Sequence, residues 1–174
     1  MKIPYVNLAA QWEDERSELL PIIEQALSSG QYVGGEAIER LEERIAELCE
    51  VAYCIALNSG TDALVCGLMA LGVRKGDEVI TPSMTWPSAV NMIELCGGVP
   101  VFVDCEIGTL NVSIKDIEKK ITRKTKAIIP VHFAGQSIDL DPLYEIVKNK
   151  NILIIEDAAH AIGTRYKGKH VGAK

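Results

Sequence analysis

Two acidic residues, two alanines and a histidine follow an apolar run late in the sequence. The run, residues 152–155, is typical of a buried strand; Glu156 and Asp157 come directly after it, and His160 lies three residues beyond Asp157. Ligands of parallel α/β sheets bind outside the carboxyl ends of the strands, so a carboxylate there meets a cationic ligand atom from a rigid backbone. Asp157 equally fits a residue that only caps the following turn. A lone histidine is more often hydrogen-bonded within the fold than a ligand contact.

A second candidate site, residues 59–62, joins a short apolar run to an apolar helical segment. The free N–H groups at the start of a helix, together with its dipole, form an anion site. Gly60 lets a phosphate approach the backbone, and the Thr61 hydroxyl adds a donor. Ser59 and Asp62 also fit a capping box, which is the competing interpretation. The glycine-rich dinucleotide and nucleoside triphosphate motifs are absent, which argues against those ligands.

The third candidate is Trp86, which follows another predicted strand and precedes Pro87, a residue suited to the first turn of a helix. An indole at this place either stacks on a flat ligand or seals the core, and in isolation the core role is slightly favoured. An anion site, an aromatic ring and a carboxylate that all follow strands of one sheet suit a flat, cationic, phosphorylated ring. Pyridoxal phosphate (PLP) has these properties.

Composition restricts the class of protein. With 174 residues and 48% apolar content, the chain is large enough for one buried domain. A net charge of −6 gives no general attraction to nucleic acid or to anionic membranes. No apolar run reaches the length of a membrane span, and the start lacks a signal peptide's apolar core, so we expect a cytoplasmic protein. The cysteines are expected to be buried free thiols, with no metal site; they are Cys49, Cys54, Cys66, Cys96 and Cys105.

Strands and helices alternate along most of the chain. Predicted strands are residues 53–57, 78–81, 99–103, 126–131 and 152–155. Predicted helices are residues 11–29, a second helix from Glu36, and residues 63–71, 88–96, 113–121 and 140–148; residues 165–172 form a polar hairpin or loop. Helix 63–71 is apolar on nearly every side and should be deeply buried. The alternation predicts an α/β fold of right-handed βαβ units, with a mostly parallel sheet covered by helices on both faces.

Five ordered motifs resemble those of the DegT/DnrJ/EryC1/StrS sugar aminotransferases, and they begin at Asn58, Gly76, Pro100, Ala127 and Ile155. The resemblance implies the amino-terminal part of the large domain of the PLP-dependent transferase fold type I, the aspartate-aminotransferase fold. It implies transfer of an amino group from glutamate to a nucleotide-linked keto-sugar, in the biosynthesis of cell-surface polysaccharide or lipid A sugars of lipopolysaccharide. The Thr-Trp variant and the last nine residues are most similar to the UDP-4-amino-4-deoxy-L-arabinose aminotransferase branch.

The resemblance also assigns roles to residues at matching positions. Asp157 would pair with the pyridine nitrogen of PLP, which favours the protonated ring. His160 would contact the phenolic oxygen of the ring. Trp86 would stack on the ring. The phosphate would be cradled by Gly60, Thr61 and Asp62.

One family feature is not matched. The family holds PLP as a Schiff base on a lysine that follows a Ser-Phe-His-like segment. Both the segment and the lysine are expected beyond Lys174, so no catalytic residue is assigned here. Residues 1–35 are interpreted as an amino-terminal helix and loop, and residues 36–174 as an incomplete PLP-binding large domain without the small carboxyl-terminal domain. We therefore expect a fragment that is inactive alone; the whole protein would be a homodimer, with loop 31–35 a candidate for reaching the partner. The alternatives are a non-catalytic nucleotide-sugar-binding or assembly module paired with a separate chain, and a plain nucleotide-binding domain.

Overall fold

The computed structural model describes residues 3–173, which divide into two compact units, one up to Leu41 and one from Glu42 onward. In the first unit, α1 (Leu8–Ser29) begins at Asn7, whose side chain accepts a hydrogen bond from the Ala10 N–H at 3.2 Å. It ends at Gly30, which has the left-handed φ of 68° that glycine adopts without strain. Pro21 lies inside this helix, so the helix starts well before the proline.

The second unit alternates helices and strands after α2 (Glu36–Cys49), which spans the unit boundary. Its elements are α3 (Gly60–Ala70), β1 (Glu78–Pro82), α4 (Ser88–Leu95), β2 (Val99–Val103), α5 (Ile114–Lys120), β3 (Thr125–Ile128), α6 (Leu140–Val147), β4 (Leu153–Ile154), β5 (Arg165–Tyr166) and β6 (Lys169–His170). Strands β5 and β6 form an antiparallel hairpin, which confirms the hairpin predicted for residues 165–172. None of the helices in the described part of the chain has the length and apolar character of a membrane span.

Strands β1 to β4 form one parallel sheet in the order β2-β1-β3-β4, which confirms the predicted α/β class. Consecutive side chains of a strand point to opposite faces of a sheet. In β1, Val79 packs with α3 and α4 on one face, and Ile80 packs with α5 and α6 on the other. Ala127 and Ile128 of β3 divide in the same way, so both faces of the central strands are buried.

Each face has its own apolar core. The core shared with α3 and α4 consists of Leu64, Leu68, Val73, Val79, Ala89, Ile93, Ala127 and Ile129. The core shared with α5 and α6 is larger and consists of Ile80, Val103, Val112, Ile117, Ile128, Ile138, Leu140, Leu143, Val147, Ile152, Ala161 and Val171. These two layers fix the sheet from both sides, so the loops after its strands start from rigid positions.

The strand predicted for residues 53–57 is wrong. This segment has no strand pairing among the described residues, and Tyr53 and Ile55 are 86% and 76% exposed. Its backbone instead meets a side chain, because the Ala56 N–H donates to Glu42 Oε1 at 2.7 Å. An apolar run becomes a strand only when a neighbouring strand supplies hydrogen-bond partners. The described chain provides none here.

Helix α3 is less buried than its composition suggested. Leu64 and Leu68 are buried against the sheet, whereas Met69 is 59% exposed and Cys66 is also exposed. The reason is geometric, since the sheet and α4 cover only one side of the helix. The prediction of buried thiols is wrong for the same kind of reason: the cysteines are free, but four are only partly buried and Cys66 is exposed.

Candidate active site

A cavity of about 300 Å³ opens beyond the carboxyl ends of β1, β3 and β4. Its lining comes from the three segments that follow these strands. The lining residues are Met84, Thr85, Trp86, Val131, Phe133, Asp157, Ala159 and His160. Three of the predicted site residues, Trp86, Asp157 and His160, therefore share one cavity. Its volume is at the lower end of the range of about 300–1,000 Å³ that is usual for small-molecule sites.

Asp157 is held in the sheet although it lies beyond β4. Its N–H donates to Pro130 O at 2.9 Å, and its carbonyl accepts from the His132 N–H at 3.0 Å. One carboxylate oxygen, Oδ1, accepts the Ala159 N–H at 3.1 Å, so the capping interpretation is realised. The other oxygen, Oδ2, has no hydrogen-bond partner among residues 3–173. Asp157 thus caps the turn with one oxygen and keeps the second unpartnered in the wall of the cavity.

Trp86 and His160 complete the polar and aromatic lining. Trp86 is 77% exposed, so it does not seal the core. His160 is exposed, and its carbonyl oxygen would lie 3.0 Å from a Cβ placed on Gly135, which has a φ of +81°. Position 135 therefore needs glycine both for its backbone angle and for the close approach of the His160 backbone.

The residues predicted to hold a phosphate stand at the start of α3. The Ser59 hydroxyl accepts the Asp62 N–H at 3.1 Å, which realises the capping interpretation of this motif. The N–H groups of Gly60 and Thr61 have no acceptor in the described part of the chain, and a Cβ on Gly60 would meet nothing within 4 Å. Gly60, Thr61 and Asp62 do not line the cavity around Asp157 itself.

Thr81, near the end of β1, was not identified as a candidate site residue from the sequence. Its side chain is fully buried, and its hydroxyl is the one buried side-chain polar atom in the described residues without a hydrogen-bond partner. A buried hydroxyl without a partner costs about 1–3 kcal/mol. A polar partner from outside the chain, such as water, would relieve this cost.

A buried network behind Asp157 was also missed. Glu156 accepts three hydrogen bonds: from His132 Nε2 at 3.0 Å, from the Tyr144 hydroxyl at 2.9 Å and from the Gly172 N–H at 2.8 Å. The side chains of His132 and Glu156 are 0% and 4% exposed. The sequence contained a signal for this network, because the side chains of two consecutive residues in an extended chain point to opposite faces. Since Asp157 lines the cavity, Glu156 must point to the buried face behind it.

The hydrogen bonds of the network fix its protonation. His132 Nδ1 accepts the Ile138 N–H at 3.2 Å, so Nε2 carries the proton and donates to Glu156. Burial alone would raise the pKa of Glu156, but the donors His132, Gly172 and Tyr144 outweigh it and lower this pKa. Burial and the adjacent Glu156 carboxylate raise the pKa of Tyr144. At neutral pH the network therefore contains a glutamate anion and a neutral tyrosine.

Acid is expected to destabilise the protein through Glu156. Since the folded state lowers the pKa of this carboxyl, its stabilising contribution is complete above the ordinary value of 4.5 and is lost as the pH falls through the lowered value. Urea denaturation of the wild type and Glu156→Gln, from neutral pH through the acidic range, measures this. The wild type should be the more stable at neutral pH, and the difference should shrink on acidification. A difference that does not change with pH would contradict the assignment.

Comparison with known proteins identifies the family. A sequence profile described as the DegT/DnrJ/EryC1/StrS aminotransferase family matches residues 13–174. This chain belongs to that family. The five motifs that suggested the resemblance lie within the matched range, and so do all the residues around the cavity.

Several solved structures share the fold of this chain. DesV of S. venezuelae, solved with a ketimine intermediate, has a TM-score of 0.95 and 37% identity, over 99% of this chain and 47% of that one. An aminotransferase from Psychrobacter cryohalolentis has a TM-score of 0.83 and 36% identity, over 86% and 38%. A GDP-4-keto-6-deoxymannose-3-dehydratase, solved with a trapped PLP-glutamate geminal diamine, has a TM-score of 0.81 and 28% identity, over 86% and 40%. The chain spans less than half the length of these relatives, and its fold is the amino-terminal part of the PLP-dependent aminotransferase fold.

Proposed function

We propose that this chain is the cofactor-binding part of a sugar aminotransferase, an enzyme that moves an amino group from glutamate to a nucleotide-linked keto-sugar. The observation that carries the proposal is the unpartnered Asp157 Oδ2 in a cavity that also contains Trp86 and His160. Membership of the family supports the reaction class. The glutamate donor is supported by the dehydratase relative that was solved with PLP and glutamate.

The cofactor is PLP, and the acceptor and the aromatic ring in the cavity wall suit its pyridine ring. When bound, its protonated ring withdraws electrons from the substrate carbon that loses a proton. Asp157 Oδ2 would accept the pyridine N–H, and the exposed Trp86 indole would stack on the ring. His160 would contact the phenolic oxygen. The free N–H groups of Gly60 and Thr61 would bind the phosphate at the positive end of the α3 dipole, and Asp62, whose N–H is bonded to Ser59, would hold this turn of the cradle in shape.

The finer assignments rest on sequence motifs. We place the enzyme in the UDP-4-amino-4-deoxy-L-arabinose branch, which serves lipopolysaccharide, because of the Thr85-Trp86 pair and the last nine residues. We further propose a cytoplasmic homodimer in which loop 31–35 reaches the partner. The division into residues 1–35 and an incomplete large domain over residues 36–174 belongs to the same proposal.

Covalent attachment of the cofactor is not proposed for these residues. No lysine lines the cavity in the described part of the chain, and Lys174 lies outside the described residues. The Schiff-base amine is a separate requirement of the reaction. We therefore propose that the 174 residues bind PLP without a covalent link and do not sustain turnover by themselves.

A titration of the purified chain with PLP tests the proposal. We expect saturable binding, followed by ring absorbance and by quenching of tryptophan fluorescence. Pyridoxal, which lacks the phosphate, should bind at least about tenfold more weakly, since charge-assisted hydrogen bonds contribute about 1.5–3 kcal/mol. Borohydride treatment and mass spectrometry should show no reduced cofactor on a lysine that lines the cavity. Glutamate plus a UDP-4-keto-sugar should give no sustained transamination.

The same experiment separates the alternatives. Absence of saturable PLP binding, or equal affinity for PLP and pyridoxal, would contradict the proposed cofactor site. Sustained transamination by these 174 residues would contradict the proposed incompleteness. Tight binding of a nucleotide-sugar in the absence of PLP would favour the non-catalytic binding or assembly module.

A further inference from the structure

The buried face behind the cavity is organised around one side chain. Glu156 and Asp157 are consecutive residues of an extended segment, so their side chains point in opposite directions. Asp157 lines the cavity, whereas the Glu156 side chain is 4% exposed and reaches Tyr144 of α6 on the other face. The Glu156 side chain therefore cannot touch a ligand in this cavity, although Glu156 directly precedes Asp157 in the chain.

Three separate parts of the chain donate to Glu156. Tyr144 comes from α6, His132 from the segment after β3, and Gly172 from the segment after β6. Gly172 also lies close to Ala158, whose Cβ would be 3.4 Å from a Cβ placed on the glycine. The segments that surround Asp157 are thus tied to a single buried carboxylate.

His132 connects this network to the cavity wall. Its ring donates to Glu156, and its backbone N–H donates to the Asp157 carbonyl at 3.0 Å. The residues on either side of it, Val131 and Phe133, line the cavity. A shift of the His132 ring would therefore move both the cavity wall and the backbone of Asp157.

We propose that Glu156 is the positioning residue for Asp157: through His132 it holds the Asp157 carboxylate against the cavity wall, and through Gly172 it ties residues 170–172 to the same point. The inference rests on the proposed PLP site, whose ring nitrogen Asp157 would bind. The role requires an unprotonated carboxylate, because all three partners are donors. A glutamine would present an NH₂ group to one of these donors and break at least one hydrogen bond.

Glu156→Gln tests the proposal, with Glu145→Gln as the matched control. Glu145 lies on α6 and forms an exposed pair with Lys148, so its loss should change nothing at the cavity. Without ligand, we expect Glu156→Gln to speed amide hydrogen exchange of the Asp157 and His132 N–H groups by about tenfold or more, as loss of a charge-assisted hydrogen bond implies. The amides of Ile80 and Ile128 in the central strands serve as the reference for global unfolding.

With ligand, two readouts report on the position of Asp157. The variant should bind PLP about fivefold or more weakly, a smaller loss than removal of a whole charged hydrogen bond. In ¹⁵N spectra of ring-labelled PLP, the pyridine nitrogen should lose its proton at a lower pH in the variant than in the wild type. A merely structural role would lower stability without moving this titration.

The outcomes are distinct. If Glu156→Gln folds with unchanged exchange at Asp157 and an unchanged ring-nitrogen titration, the positioning role is wrong. If the variant fails to fold, Tyr144→Phe, which removes one donor from the same carboxylate, should show the same changes to a smaller extent, and the absence of any change would overturn the proposal. If the wild type does not bind PLP, the proposed function fails, while the exchange measurement still decides whether Glu156 positions Asp157.

Discussion

Replacing Asp157 by asparagine is expected to weaken PLP binding by about 10- to 100-fold, because a hydrogen bond to a charged group contributes about 1.5–3 kcal/mol. Asparagine keeps the side-chain oxygen that accepts the Ala159 N–H, so the turn after β4 stays capped. Only the negative charge that would face the pyridine nitrogen is removed. The substitution therefore separates the two roles of Asp157, and a PLP titration by tryptophan fluorescence and ring absorbance measures the difference.

Asp104→Asn is the matched control for this variant. Asp104 also follows a strand of the same sheet, and its Oδ1 accepts the Cys105 N–H at 2.8 Å, but it does not line the cavity. Its substitution should leave PLP affinity unchanged. An Asp157→Asn protein that binds PLP as tightly as the wild type would show that Asp157 is only a cap.

The second large effect concerns stability. Leu68→Ala should lower the free energy of unfolding by about 2–5 kcal/mol, the usual range for truncating a buried leucine. Leu68 is 0% exposed and belongs to the core that fixes α3 against the sheet. Because α3 also presents the Gly60 and Thr61 N–H groups, PLP affinity should fall if the helix shifts. Urea denaturation with an unchanged m-value would attribute the loss to the folded state.

Met69→Ala provides the comparison for Leu68→Ala at the next position of the same helix. Met69 is 59% exposed, so its truncation should cost less than about 1 kcal/mol, as surface substitutions usually do. Equal losses for the two variants would mean that α3 is covered by a further layer of protein in solution. A small loss for Leu68→Ala would contradict the described core.

The periodicity of apolar residues predicted most helices and strands of the second unit, because these elements are buried by elements that lie close to them in the sequence. Residues 78–81 and 99–103 carry β-branched side chains, their partner strands follow one another along the chain, and both form strands. Residues 53–57 are even more apolar than residues 78–81 but remain unpaired, since pairing depends on which strand lies alongside and not on the segment itself. The partial exposure of α3 was unpredictable for the same reason: an apolar sequence does not specify how many of its sides are covered.

The candidate site likewise has a part that was predictable from the sequence and a part that was not. Trp86, Asp157 and His160 were predicted because residues that follow parallel strands meet at one edge of the sheet, and they line one cavity. Whether they bind PLP remains a prediction. The three donors to Glu156 come from positions 132, 144 and 172, which no local spacing connects. Their convergence depends on how α6 and the β5–β6 hairpin pack, and this is decided by tertiary structure.

The bridge between Val131 and Asp157 continues the sheet by one pair beyond the ends of β3 and β4. Its consequence is entropic. Fixing the backbone of one residue costs about 1–2 kcal/mol, and for Asp157 this ordering is already completed when the protein folds. A ligand that meets Asp157 does not have to order that backbone again, so more of its interaction energy remains as affinity.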